Sequence, residues 1–243
     1  MKKRILSLIT VFSMMTAVLP AYAENSSVSY SDVTSKTKYF DSIVNVSSIG
    51  IMQGLLNNTF APEENVVRSE AAKMMVHIMG LEHIPNSDKA VFDDVASDHW
   101  ASGYIEKGVS MNVINGMGNN RFEPDSNVTF SQMVKMLVCI LGYNSLEDIS
   151  YPDGYLEKGK ELGITKDLNL DNDTPLKRAE CAYLINNTLY IPVCAVTGYD
   201  MVPQTDENGE TTMIVKPIIE IQDGNGKSGA YETLLTLYHN LEK

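Results

Sequence analysis

The chain matches itself. Shifting residues 30 to 80 by 62 positions lays Tyr30-Ser31-Asp32-Val33 on Phe92-Asp93-Asp94-Val95 without a gap. At the same shift Gly54 falls on Gly116, Phe60 on Phe122, Pro62 on Pro124, Asn65-Val66 on Asn127-Val128, Lys73-Met74 on Lys135-Met136 and Gly80 on Gly142. Tandem copies of this length are supersecondary units that bury their apolar faces only against one another. A third copy follows in shortened form. Tyr155, Leu156 and Gly159 sit 51 positions after Tyr104, Ile105 and Gly108, whereas Leu176, Arg178 and Glu180 sit 48 after Val128, Phe130 and Gln132. Three residues are therefore missing from its loop, the Phe-x-Pro step goes with them, and Leu170 stands in for the lost aromatic.

The N-terminus reads as an export signal: Lys2, Lys3 and Arg4, an apolar run from Ile5 to Val18, then Ala21-Tyr22-Ala23, with the mature chain expected from Glu24. The run is shorter than the roughly 20 residues that span a bilayer, so the mature product is not expected to be an integral membrane protein. Cleavage leaves 16 basic against 31 acidic residues, a formal charge of -15. A field of that sign argues against nucleic acid or anionic lipid as partner and assigns any anion recognition to local cations and oriented backbone groups. Three cysteines without dense spacing do not make a disulfide framework. Cys181 occupies the repeat position of Met133 and reads as buried filler, Cys139 that of His77, and Cys194 lies in a loop.

Each unit reads as helix, Gly/Asn loop, helix. In the second copy Tyr104, Ile105 and Val109 set a helical period from Ser102 to Met111, which Asn112 to Gly118 breaks. After Phe122-Glu123-Pro124, Thr129-x-x-Gln132 has the form of a capping box; Met133, Met136, Leu137, Ile140 and Leu141 then share one face, and Gly142 is the stop.

Phe92-Asp93-Asp94-Val95, His99-Trp100-Ala101, Tyr104-Ile105, Val113-Ile114-Asn115-Gly116, Gly118, Phe122-x-Pro124, Val128-Thr129-x-Ser131-Gln132 and Leu141-Gly142-Tyr143 together resemble the S-layer homology (SLH) repeat of bacterial surface proteins. The resemblance covers roughly residues 30 to 192, weakest in the first half of the third copy. It implies a mainly α fold: three helix-loop-helix repeats in a pseudo-three-fold bundle, followed here by a short mixed extension. It also implies that grooves between repeats bind secondary cell-wall polysaccharide, typically pyruvylated, holding the protein non-covalently on the wall of a Gram-positive-type cell, without catalysis or cofactor. The corresponding division is a signal peptide at 1–23, repeats at 24–85, 86–147 and 148–193, and an extension at 194–243 or the start of a truncated downstream region.

In this family the second helix opens with Thr-Arg-Ala-Glu, whose arginine is associated with the ligand carboxylate; a bidentate cation beside the positive end of a helix dipole suits that role. Val67-Arg68-Ser69-Glu70 and Lys177-Arg178-Ala179-Glu180 keep arginine and glutamate but lose the capping threonine, whereas Thr129-Phe130-Ser131-Gln132 keeps the cap and loses the cation. Two anion sites are expected, at Arg68 and Arg178. The candidate ligand-binding set is Arg68, Glu70, Trp100, Gln132, Arg178 and Glu180. For Trp100, inter-repeat packing is favoured over stacking on sugar, and Lys38 takes its place in the first copy. Asp32 and Asp94 are read as caps of the helices that follow them.

Other chemistry finds little support. Asn169-x-Asp171-x-Asp173 imitates part of a calcium loop, but asparagine stands first and Thr174 occupies the glycine place. The four histidines lack metal-ligand spacing, and no nucleophile or phosphate-loop motif appears. Beyond Val193, Asp206 to Gly209 reads as a turn, Met213 to Val215 and Ile218 to Ile221 as strands, and Tyr231 to Leu241 as an amphipathic helix. The leading function is a wall anchor. The alternatives are a structural protein of a surface lattice, partnered by other surface-layer proteins, and the anchor portion of an exported enzyme.

Overall fold

The computed structural model of the protein describes residues 29–145, 148–205, 211–221 and 233–234. The expected signal peptide and the 206–209 turn lie outside these residues, as does the 231–241 helix apart from Thr233 and Leu234. The fold is mainly helical, with α1 Phe40–Ser48, α2 Arg68–Ile78, α3 Ser102–Ser110, α4 Phe130–Ile140, α5 Asp153–Glu161 and α6 Arg178–Thr188. Their starts reproduce the sequence offsets: α3 and α4 begin 62 residues after α1 and α2, α5 begins 51 after α3, and α6 begins 48 after α4.

Helix ends follow the local chemistry. At the start of α4 the Thr129 hydroxyl accepts from the Gln132 amide at 3.4 Å, and the Gln132 side chain accepts from the Thr129 amide at 3.3 Å. Val67 and Lys177 have no side-chain oxygen at the same position. There Glu70 and Glu180 alone reach back, accepting from the Val67 and Lys177 amides at 3.0 and 2.9 Å. Gly80 and Gly142, at φ of 74° and 84°, lead the chain out of α2 and α4 through the left-handed region.

The helices pack across units: α3 lies on α2, α5 on α4, and α1 on α6. The first unit thus rests on the last. Fully buried Ile43, Met75, Ile105, Met133, Leu137 and Leu184 join one core. Gly159 lets α5 approach α4 closely, since a Cβ there would sit 2.5 Å from Val134.

At the centre, the extended segments leading into α2, α4 and α6 pair with one another. Val66 N–H donates to Leu176 O at 2.9 Å, Leu176 N–H to Val128 O at 3.0 Å, and Val128 N–H to Val66 O at 2.9 Å. These bonds close a ring around three side chains with no exposed surface. The next amides continue the order: Arg68 N–H donates to Ser126 O, Phe130 N–H to Thr174 O, and Arg178 N–H to Glu64 O. Helix-start amides that lack intrahelical partners are thereby satisfied by the neighbouring unit.

The C-terminal extension forms an antiparallel hairpin of β1 Cys194–Thr205 and β2 Thr211–Ile221, with a register shift between Val196 and Gly198. Strand character was legible in the second arm and not in the first, whose opening residue Cys194 was expected in a loop. The Cys194 amide donates to Leu141 O at 2.8 Å, tying the hairpin to the end of α4. All three cysteines are free thiols, and Cys181 is fully buried.

Candidate functional site

Arg68 and Arg178, expected as anion sites at helix starts, are buried, with only 2% and 5% of their surface accessible. Each guanidinium crosses into the loop of another unit. Arg68 donates from Nε to Phe122 O at 2.8 Å, from Nη1 to Gln132 Oε1 at 3.0 Å and from Nη2 to Asn115 O at 3.0 Å, and lies 4.5 Å from the Phe122 ring centroid. Arg178 repeats the arrangement one unit away: Nε to Phe60 O at 2.7 Å, Nη2 to Gln53 O at 2.8 Å, and the Phe60 ring at 4.8 Å. Among the described residues its Nη1 has no partner. Burial lowers the Arg68 pKa, with Glu123, Tyr151 and Asp94 opposing that effect.

Phe130 holds the third equivalent position, and the loop it faces lacks the Phe-x-Pro step. Arginine and receiving loop are thus present together at two junctions and absent together at the third. Buried Phe130 keeps that junction apolar.

Asp32 and Asp94 do not cap the following helices. Asp94 accepts from the Phe122 and Glu123 amides, both at 2.8 Å, and Asp32 from the Phe60 and Ala61 amides at 2.8 and 2.7 Å. The reason is conformational. Ala61 and Glu123 sit at φ of 56° and 59°, and a carboxylate accepting two successive amides holds this left-handed step that their Cβ atoms disfavour. Burial pushes the Asp94 carboxyl up, but the amides of Phe122 and Glu123 outweigh it and leave its pKa below the ordinary value.

Of the other expected site residues, Glu70 and Glu180 bond their own helix starts, while Gln132 joins its helix start to Arg68. Trp100 is 48% exposed, its ring stacked on His99 at 5.8 Å, and so does not brace the packing as expected. Position 100 precedes the helix, where the adjacent Ala101 and Ser102 take the buried places. The three helix junctions carry a further set that motif comparison missed. At α2/α3, Lys73 lies 6.0 Å from the Tyr104 ring. At α4/α5, Lys135 lies 5.2 Å from Tyr151 and 5.6 Å from Tyr155. At α6/α1, Tyr183 stacks on Tyr39 at 4.3 Å, and Lys38 lies 4.7 Å from Tyr39. The signal was present in the repeat register, where Lys73, Lys135 and Tyr183 are equivalent, as are Lys38, Trp100 and Tyr151.

Among the described residues no cluster of His, Cys, Asp or Glu is arranged to hold a metal ion, and no helix is long and apolar enough to cross a membrane.

Residues 29–72 and 91–134 match the S-layer homology domain. Both SLH segments fall in the first two units. A cell surface protein of Thermoanaerobacter kivui is 24% identical over 87% of this chain and 28% of its own length. A surface layer protein of Brevibacillus choshinensis is 28% identical over 52% of this chain and 12% of its own. An uncharacterized cell wall amidase of Bacillus anthracis is 38% identical over 36% of this chain and 16% of its own. The chain thus spans about a quarter or less of these relatives.

Proposed function

We propose that the chain is a non-catalytic anchor, exported from the cell, that holds to the wall by binding a pyruvylated secondary cell-wall polysaccharide in grooves between three SLH repeats. The observation that carries this reading is the pair of SLH matches in a chain whose relatives are named as surface-layer, cell-surface and cell-wall proteins. The ring of bonds among Val66, Val128 and Leu176 supports counting residues 148–193 as a third repeat and the bundle as pseudo-three-fold. Residues 24–85 and 86–147 are then the first two repeats and 194–243 an extension.

Arg68, Glu70, Trp100, Gln132, Arg178 and Glu180 border the proposed grooves. The two arginines differ in this reading: all three Arg68 nitrogens have protein partners, whereas Nη1 of Arg178 is left to meet a carboxylate. Sedimentation with purified walls tests the function. The chain from Glu24 pellets with native walls, leaves them in a chaotrope, and binds less after mild acid removes pyruvate. Retention through boiling denaturant would refute non-covalent anchoring, and equal binding to depyruvylated walls would refute carboxylate recognition.

A second reading, the anchor portion of a longer surface enzyme, is favoured by the similarity to the uncharacterized cell wall amidase of Bacillus anthracis.

A further inference from the structure

Both buried arginines end on the same kind of peptide bond. Arg68 Nη2 donates to the Asn115 carbonyl at 3.0 Å and Arg178 Nη2 to the Gln53 carbonyl at 2.8 Å, and a glycine follows each acceptor, Gly116 and Gly54. Packing demands those glycines. A methyl group at Gly116 would run into the Phe92 ring and the Arg121 carbonyl, and one at Gly54 into the Tyr30 ring and the Thr59 carbonyl. The fold thus sets arginine and glycine around a residue that varies between units, asparagine in the second and glutamine in the first.

Asparagine before glycine carries its own electrophile. The nitrogen of the following residue closes on the asparagine Cγ through a five-membered ring, and glycine has no Cβ to shield that nitrogen. Asn115 and Gly116 are exposed, so water and hydroxide reach them. The Gly116 N–H has no acceptor among the described residues. The attacking species is this nitrogen after loss of its proton, and its negative charge is shared with the Asn115 carbonyl oxygen. That oxygen is the one the guanidinium holds, and an arginine with 2% of its surface accessible is little screened by solvent.

We propose that Asn115 is a self-modification site, converted to aspartate and isoaspartate through a succinimide whose formation Arg68 assists. Hydroxide takes the Gly116 amide proton, the nitrogen bonds to Asn115 Cγ, and the side-chain nitrogen leaves as ammonia with a proton from water. Water then opens the ring at either carbonyl. The sum is asparagine plus water giving acid plus ammonia, with nothing oxidised or reduced. Opening to isoaspartate adds a carbon to the main chain at the Arg68 acceptor and loosens the link between the first two units. Gln53 is the control within the same molecule, since its closure needs a six-membered ring and stays slow.

The chain from Glu24 is aged at mildly alkaline pH, folded or in denaturant, and followed by peptide mass spectrometry, which separates this site from Asn208-Gly209 and Asn225-Gly226. Asn115 converts faster in the folded chain than in the unfolded one, Gln53 stays intact, and the aged protein melts at a lower temperature. Gln53→Asn creates a second converting site. Adding Arg178→Ala slows that site roughly tenfold, with circular dichroism reporting the fold. The comparison of folded and unfolded wild type does not depend on any variant folding. Slower conversion of Asn115 in the folded chain, or a Gln53→Asn site that stays intact or converts equally fast without Arg178, overturns the proposal.

Discussion

Replacing Arg68 by alanine removes a buried side-chain link between the first two units, and the structure sets the scale of the loss. The Phe122 carbonyl, in a residue with no exposed surface, loses its donor, which costs about 1–3 kcal/mol. The Asn115 carbonyl and the Gln132 side chain are only partly buried and recover part of their bonding from water, so each loses about 0.5–1 kcal/mol. Loss of the cation from the Phe122 face adds about 1 kcal/mol. The total is about 3–6 kcal/mol, a large share of the roughly 5–15 kcal/mol that holds an ordinary domain together. In a chain of this size that lowers the melting temperature by roughly 6–24 °C. Thermal unfolding followed by circular dichroism measures it, with Arg68→Lys as a control that restores charge but not the three-way fork. Arg178→Ala, with two backbone bonds to lose, shifts less. Phe130→Arg gains nothing, because the loop that would receive the guanidinium is three residues short. An Arg68→Ala protein melting within about 2 °C of wild type would refute the buried link, since even the low end of the sum corresponds to about 6 °C.

Three further outcomes follow from the same geometry. Asp94 ionises below its ordinary value of 3.8, so its contribution to stability is complete above that value and is lost as the pH falls through the lower folded value; Asp94→Asn flattens this part of the acid limb of a stability-pH profile, and an unchanged limb would contradict it. Gly116→Ala puts a methyl group 2.6 Å from the Phe92 ring and 2.8 Å from Arg121 O, and should cost about 1–3 kcal/mol in denaturant unfolding. Truncation after Tyr143 removes Leu176 from the central ring and α6 from α1, so the shortened chain loses cooperative unfolding; a sharp transition like that of the full chain would show that two units suffice.

The helices were legible because repetition and apolar spacing act locally: offsets of 62, 51 and 48 residues place α3 to α6 where the structure has them. The capping box at Thr129 was legible for the same reason. The roles of Asp32 and Asp94 were not. Each binds amides 28 and 29 residues away, and the step it holds is left-handed at Ala61 and Glu123, residues that give no sequence sign of positive φ. The motif put Arg68 and Arg178 at helix starts, where α2 and α6 begin, yet their burial depends on loops 47 to 125 residues distant. Lys135 was visible as a repeat position, but its place against Tyr151 and Tyr155 arises only from the packing of α5 on α4.

The packing of α1 on α6 bears on how such a molecule carries tension. In an open stack, a pull on the last unit peels it from its only neighbour, and the stack comes apart one interface at a time. Here α5 and α6 belong to a unit held on both sides, by α4 and by α1. A force entering at residues 189–193 therefore meets two interfaces side by side, each bearing part of the load, and neither can open fully while the other is shut. A body joined to the far end of this chain would be moored to a closed hoop rather than to the end of a rope.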